Sequence, residues 1–115
     1  MIILKAIARL LITMLALILT AKIVPGIVIG SLGAGFWAAL ILGLVNTFIK
    51  PVFTLLTLPL TILSFGLFLF VINGLMLLIT ASLVANFHVS GLLAAIFGSI
   101  ILSIINSFML DVLYD

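Results

Sequence analysis

Three asparagines stand inside apolar runs of this chain: Asn46, Asn73 and Asn106. A carboxamide in hydrocarbon without partners costs several kcal/mol. These side chains must therefore bond one another, backbone carbonyls or water. Hydrogen bonds between spans contribute about 0.6–2 kcal/mol each, which suits them as glue between helices. The competing chemistry is a polar lining for a conduction or binding path, because polar groups at membrane depth often mark function. Two of the three sit beside a second pattern. Gly35, Ala39, Gly43 and Thr47 step by four, as do Ala95, Ser99, Ser103 and Ser107. Each set lies along one helix face, and Asn46 and Asn106 follow Gly43 and Ser103 by three. Small residues mark contact faces between membrane helices, where close approach replaces the hydrophobic drive. The two ladders predict either packing of helix 2 on helix 4 about a pseudo-twofold axis, or a face between protomers.

Other chemistries find no constellation. The chain has no Cys, no Glu and one His, His88. Thiolate metal sites, disulfides and cysteine nucleophiles are excluded. The serines and threonines have no nearby base to activate them. No acid lies within an apolar core, which argues against proton- or ion-coupled carriers. No enzyme, cofactor or metal is expected, and nucleic-acid binding would need a basic patch that four basic residues do not make. A lone histidine in a loop is ordinarily solvated, with pH sensing as the other reading. Arg9 and Lys22 lie near the two ends of the first apolar run and can snorkel. Lys5 and Arg9 are four apart, on one face suited to anionic headgroups. Asp111 and Asp115 could pair with Lys50 or Lys5, a contribution small for exposed pairs.

The elements that hold these residues are set by composition. Of 115 residues, 68% are hydrophobic and 5% charged, with mean hydropathy +1.78. Soluble domains carry about a quarter charged residues, so lipid is the solvent here. About twenty apolar residues cross the hydrocarbon core, which leaves room for four spans, expected at 3–23, 34–49, 60–84 and 91–113. Pro25-Gly26 ends the first. The chain also repeats itself after sixty residues: of the thirty pairs from 20/80 to 49/109, nine are identical, including Thr20/Thr80, Asn46/Asn106 and Phe48/Phe108. The fold expected is an all-α integral membrane protein of four transmembrane helices. They form two tandem parallel helical hairpins in one membrane domain, 1–115: repeat 1 at 1–50, linker 51–59 and repeat 2 at 60–115. Ile27-Val28-Ile29 and Phe87-His88-Val89 hold matched positions in the two loops. They read either as plain loop or as extended segments that pair at the membrane surface and satisfy backbone groups lipid cannot. In the linker, Pro51 should stop helix 2, and Pro59 suits the first turn of helix 3. Thr54 and Thr57 share a face of an interfacial or re-entrant turn.

Lys5, Arg9 and Lys50 fall on one side of such a bundle and Lys22 on the other. That asymmetry predicts cytoplasmic termini in a bacterial inner membrane. Lys5, Arg9 and the apolar run to Ala21 imitate a signal peptide. Retention as the first span is favoured, because residues 8–22 are the register partners of 68–82.

The ordered motifs Val24-Pro25-Gly26-Ile27, Phe36-Trp37-Ala38-Ala39-Leu40, Leu44-Val45-Asn46, Lys50-Pro51, Thr57-Leu58-Pro59-Leu60-Thr61, Gly66, Ile72-Asn73 and Phe87-His88-Val89 make a pattern that runs along essentially the whole chain. In this it resembles the bacterial four-span phage holin family, holin superfamily IV. The chain departs from that pattern where Ala85-Asn86 stand in the second loop at the positions of Pro25-Gly26. The resemblance implies a small membrane protein that oligomerises into lesions and releases a lytic enzyme. The functions expected are therefore a self-associating, holin-like pore or permeabilising assembly, a non-conducting envelope scaffold or accessory subunit, or a small-solute carrier with Asn46, Asn73 and Asn106 around one cavity. The partners expected are the lipid bilayer and further copies of the chain.

Overall fold

The computed structural model describes residues 2–114, with the side chain of Tyr114 set aside. Its first element, α1 (Ile2–Ile23), is a run of Leu, Ile and Ala with no glycine or proline to interrupt it. It stops where Pro25 removes a donor. Val24 N–H closes the last turn on Thr20 O at 2.8 Å. Gly26 then turns the chain at φ 95° into a strand, β1 (Ile27–Ile29). Ser31 caps the next helix, α2 (Leu32–Phe48), by accepting from Ala34 N–H at 3.1 Å. The second half reuses this plan. Helix α5 (Phe68–Leu83) is followed by a turn, strand β2 (Phe87–Val89) and helix α6 (Leu92–Tyr114).

The departure at Ala85-Asn86 leaves the turn intact. Asn86 has φ 63°, the left-handed conformation that Gly26 takes in the first loop, and asparagine tolerates it better than most residues. A methyl on Gly26 would also collide with the Ser90 side chain. Gly26→Ala is expected to cost at least about 1–2 kcal/mol from the backbone conformation, and Asn86→Gly to be neutral or better. Unfolding of each variant in detergent micelles, titrated with sodium dodecyl sulfate, measures both.

The two strands pair antiparallel, with Ile27 opposite Val89, Val28 opposite His88 and Ile29 opposite Phe87. The extended reading of the loops therefore holds, in place of the plain loop. Ile27 and Phe87 point inward and are buried, while Val28 and His88 between them are exposed. Two further bonds flank the ribbon: Gly30 N–H donates to Asn86 O, and Ser90 N–H to Gly26 O, both at 2.8 Å.

Between the halves the chain is more helical than a linker. Helix α2 bends by 41° at Ile49 into α3 (Lys50–Leu56), and α4 (Leu58–Leu63) follows. Pro51 and Pro59 each sit in a first turn, where their missing N–H is harmless. Pro51, expected to stop helix 2, is thus the second residue of a new helix that follows the bend. Thr54, Thr57 and Thr61 donate to Lys50 O, Phe53 O and Thr57 O at 2.8, 2.7 and 3.2 Å. Such back-bonding lets hydroxyls sit in an apolar setting.

The span expected at 60–84 is broken. Gly66 N–H reaches Thr61 O at 2.8 Å and Phe65 N–H reaches Ile62 O at 3.1 Å. This pair of bonds is the Schellman closure of a helix end. Phe65 occupies its left-handed position at φ 56°, which glycine ordinarily fills, and Gly66 follows at φ 89°. The α5 that restarts at Phe68 has 16 residues, about 24 Å at 1.5 Å per residue. That is short of the roughly 30 Å hydrocarbon core. Helices α1 and α6 are each long and apolar enough to cross it, and α2 with α3 qualifies as a bent pair. The molecule is mostly helical, with two clear spans and up to four when the bent and shorter helices are included.

The four long helices form a ring in which α1 packs on α2 and α6, and α5 packs on the same two. Helices α2 and α6 sit diagonally: among the described residues no Cα pair between them lies within 8 Å. The core holds Ala16, Leu17, Ile72, Met76, Leu77 and Phe87. Within it Thr20 and Thr80, both fully buried, donate to Ala16 O at 2.7 Å and Met76 O at 2.9 Å.

Candidate functional site

The small-residue ladders do not mesh with each other inside one chain, which corrects the packing of helix 2 on helix 4. The stripes specify close approach but not the neighbour, and the nearest helices are the hairpin partners. Gly35 is buried against Met14 and Ile18 of α1, where a methyl would lie 3.3 Å from Ile18 Cδ1. Ala39, Ala95 and Ser99 are buried as well, and Ser99 donates to Ile96 O at 2.8 Å. The other halves of the ladders are open. Gly43, Thr47, Ser103 and Ser107 are exposed, and nothing lies within 4 Å of a methyl built on Gly43.

The closest approaches to helical glycines fall outside the ladders. A methyl on Gly74 of α5 would lie 2.8 Å from Ile96 Cγ1 and 3.0 Å from Ile96 N of α6. One on Gly98 of α6 would overlap the tip of Ile27. The sixty-residue partner of Gly74 is Met14, so a search for matched small residues passes over it, while Gly98 pairs with Ala38 one residue off the ladders. A glycine in mid-helix, where it costs about 1 kcal/mol against alanine, was the available clue.

Because α2 and α6 stand apart, a cleft of about 630 Å³ opens between them and α1. Its polar groups are Arg9 and Thr13 from α1, Asn46 and Thr47 from α2, and Ser103 and Asn106 from α6. Apolar side chains, among them Leu10, Leu42 and Leu102, make up the rest of the wall. Arg9 is the only charged residue among the described residues that line it. The cleft lies toward the end of the bundle where α1 begins and α2 finishes.

The three asparagines therefore separate. Asn46 and Asn106 share the cleft, while half-buried Asn73 on α5 is not among its lining residues. Thr13, the sixty-residue partner of Asn73, takes a place there instead. Thr47 satisfies its own hydroxyl by donating to Gly43 O at 2.7 Å. Asn106 does not: its Oδ1 is buried and has no hydrogen-bond partner among the described residues. An unmet acceptor of this kind costs about 1–3 kcal/mol. Arg9 was read from the sequence as a snorkelling residue near a helix end. Its place beside two carboxamides depends on the ring order of the helices, which a single sequence does not disclose.

Comparison with known proteins agrees with this architecture. The uncharacterized membrane protein YvlD of Bacillus subtilis is 43% identical over 95 residues, which cover 82% of this chain and 80% of that protein. The protein SCO3922 of Streptomyces coelicolor is 46% identical over 81 residues, 64% of this chain and 65% of its own length. No solved structure matches. A family model described as mycobacterial 4 TMS phage holin, superfamily IV, matches residues 4–108, a stretch from the first turns of α1 to beyond Asn106. With apolar spans, a polar face between α1, α2 and α6 and this match over residues 4–108 in hand, the chain belongs to the four-span phage holin family of superfamily IV.

Proposed function

We propose that this membrane protein of holin type self-associates in the bacterial inner membrane and permeabilises it as an assembly, acting by packing rather than by catalysis. One observation carries the reading. Asn46, Ser103 and Ser107 are exposed on one side of a chain whose surface is otherwise largely apolar, and lipid offers them no partners. A second copy laid over this side would supply hydrogen bonds, each contributing about 0.6–2 kcal/mol between spans.

The arrangement within the membrane follows the charges. Lys5, Arg9 and Lys50 would lie on the cytoplasmic side with both termini, and Lys22 and the ribbon outside. The chain would be two copies of one hairpin in the same orientation. Support comes from the mirrored bonds Gly30 to Asn86 and Ser90 to Gly26, from Thr20 and Thr80 in matching bonds, and from left-handed residues at 26 and 86.

The native chain has no cysteine, so single-cysteine variants test the reading directly. Gly43→Cys and Ser107→Cys are expected to crosslink chain to chain in native membranes. Induced expression is expected to release a trapped dye from vesicles made from those membranes. Crosslinks with no leakage at high expression would leave the scaffold and sink the pore; monomers throughout would overturn self-association itself.

A further inference from the structure

The Arg9 cleft holds an unbalanced set of groups. It has one guanidinium, no acid among its lining residues, two carboxamides and an acceptor, Asn106 Oδ1, with nothing to accept from. A guanidinium is always charged and presents a planar fork of donors that fits phosphate oxygens. At membrane depth such a cation needs a counter-charge or water. The described acid, Asp111 on α6, is exposed and lies outside the cleft lining. Arg9 is itself exposed, so either water or an anionic ligand in the cleft supplies the balance.

Three features narrow the ligand. The charge calls for an anion, and the fork calls for one with two oxygens in a plane. Asn106 Oδ1 accepts, so a donor such as a hydroxyl close to that anion would satisfy it. The rim joins the lipid-facing surface, since Ile7 and Leu44 line the cleft and are each 48% exposed. A molecule with an apolar tail can enter from the side, head first. Lys5, one turn before Arg9 on the same face, adds a second positive charge outside the opening.

We infer that this cleft binds the headgroup of an anionic phospholipid bearing free hydroxyls, phosphatidylglycerol in chemical type. Arg9 takes the phosphate and the carboxamides of Asn46 and Asn106 take the glycerol. The site belongs to one chain and does not depend on self-association.

The test uses the full chain purified as a monomer in a zwitterionic detergent, with native mass spectrometry to count bound lipids. Phosphatidylglycerol is expected to stay bound at least tenfold better than phosphatidylcholine. Arg9→Gln is expected to abolish that preference and Arg9→Lys to recover part of it, because a lysine keeps the charge and loses the fork. Asn106→Leu should keep the preference for anionic lipid but lose discrimination between phosphatidylglycerol and a phosphatidic acid. Lys22→Gln, at the other end of α1, is the control and should bind like the native chain; circular dichroism confirms the fold of each variant. Equal losses in Arg9→Gln and Lys22→Gln would reduce the effect to general charge and overturn the site. Saturable binding of soluble glycerol 3-phosphate with no lipid preference would overturn the lipid assignment.

Discussion

Gly74→Leu is expected to force α5 away from α6 and to leave the protein severely destabilised in mild detergent. The clash involves the backbone N of Ile96 at 3.0 Å as well as its side chain, so no rotamer change relieves it. Overpacking of this kind costs about 1–3 kcal/mol when the neighbour can shift, and more when it cannot. Membrane helices depend on close packing in place of a hydrophobic drive, so lost contact along the crossing adds to the strain. Gly43→Leu is the matched control. It lies on the sequence ladder, yet nothing stands within 4 Å of its added carbon. The expected order of unfolding midpoints in sodium dodecyl sulfate is native, then Gly43→Leu close by, then Gly74→Leu far below. A Gly43→Leu variant that unfolds first would reverse the assignment of close and open faces.

Phe87→Ala is expected to be the other severe change, at roughly 3 kcal/mol, the low end for truncation of a buried phenylalanine. Phe87 is fully buried beneath the ribbon, and its strand partner is Ile29. Removing the ring leaves a cavity where β2 meets the helix ends, and it should loosen the ribbon before the helices. Amide exchange at the ribbon is expected to quicken while helical circular dichroism persists. Val28→Ala, on the exposed side of the same ribbon, should change neither reading by more than a few tenths of a kcal/mol, as usual for surface substitutions.

Much of this architecture was open to reading because single residues enforce it. Pro25 and Gly26 end α1 where expected, and the extended segments at 27–29 and 87–89 pair. The break at residues 64–66 was hidden because Ser64, Phe65 and Gly66 lie in an apolar run with one glycine, and a phenylalanine in a left-handed conformation announces nothing. The ladders were visible but their partners were not. Small side chains state that something comes near, and the ring order decides what. The same gap hid the cleft: Asn46, Asn106 and Arg9 were each noticed, but only their three helices side by side bring them together.

The ribbon has a mechanical consequence. Among the described residues it is the one place where the two halves share backbone hydrogen bonds, and it stands at a single end of the molecule. A bundle fastened that way behaves like a pair of tongs gripped at the joint. Rotation of one half against the other moves residues near β1 and β2 very little. The same rotation displaces the far tips by an amount that grows with the length of the arm. Helix α1 has 22 residues, so its arm is about 33 Å, and a turn of ten degrees at the joint carries its tip by roughly 6 Å. The gap beside Arg9 lies well out along that arm, where small motions at the joint become large changes in width.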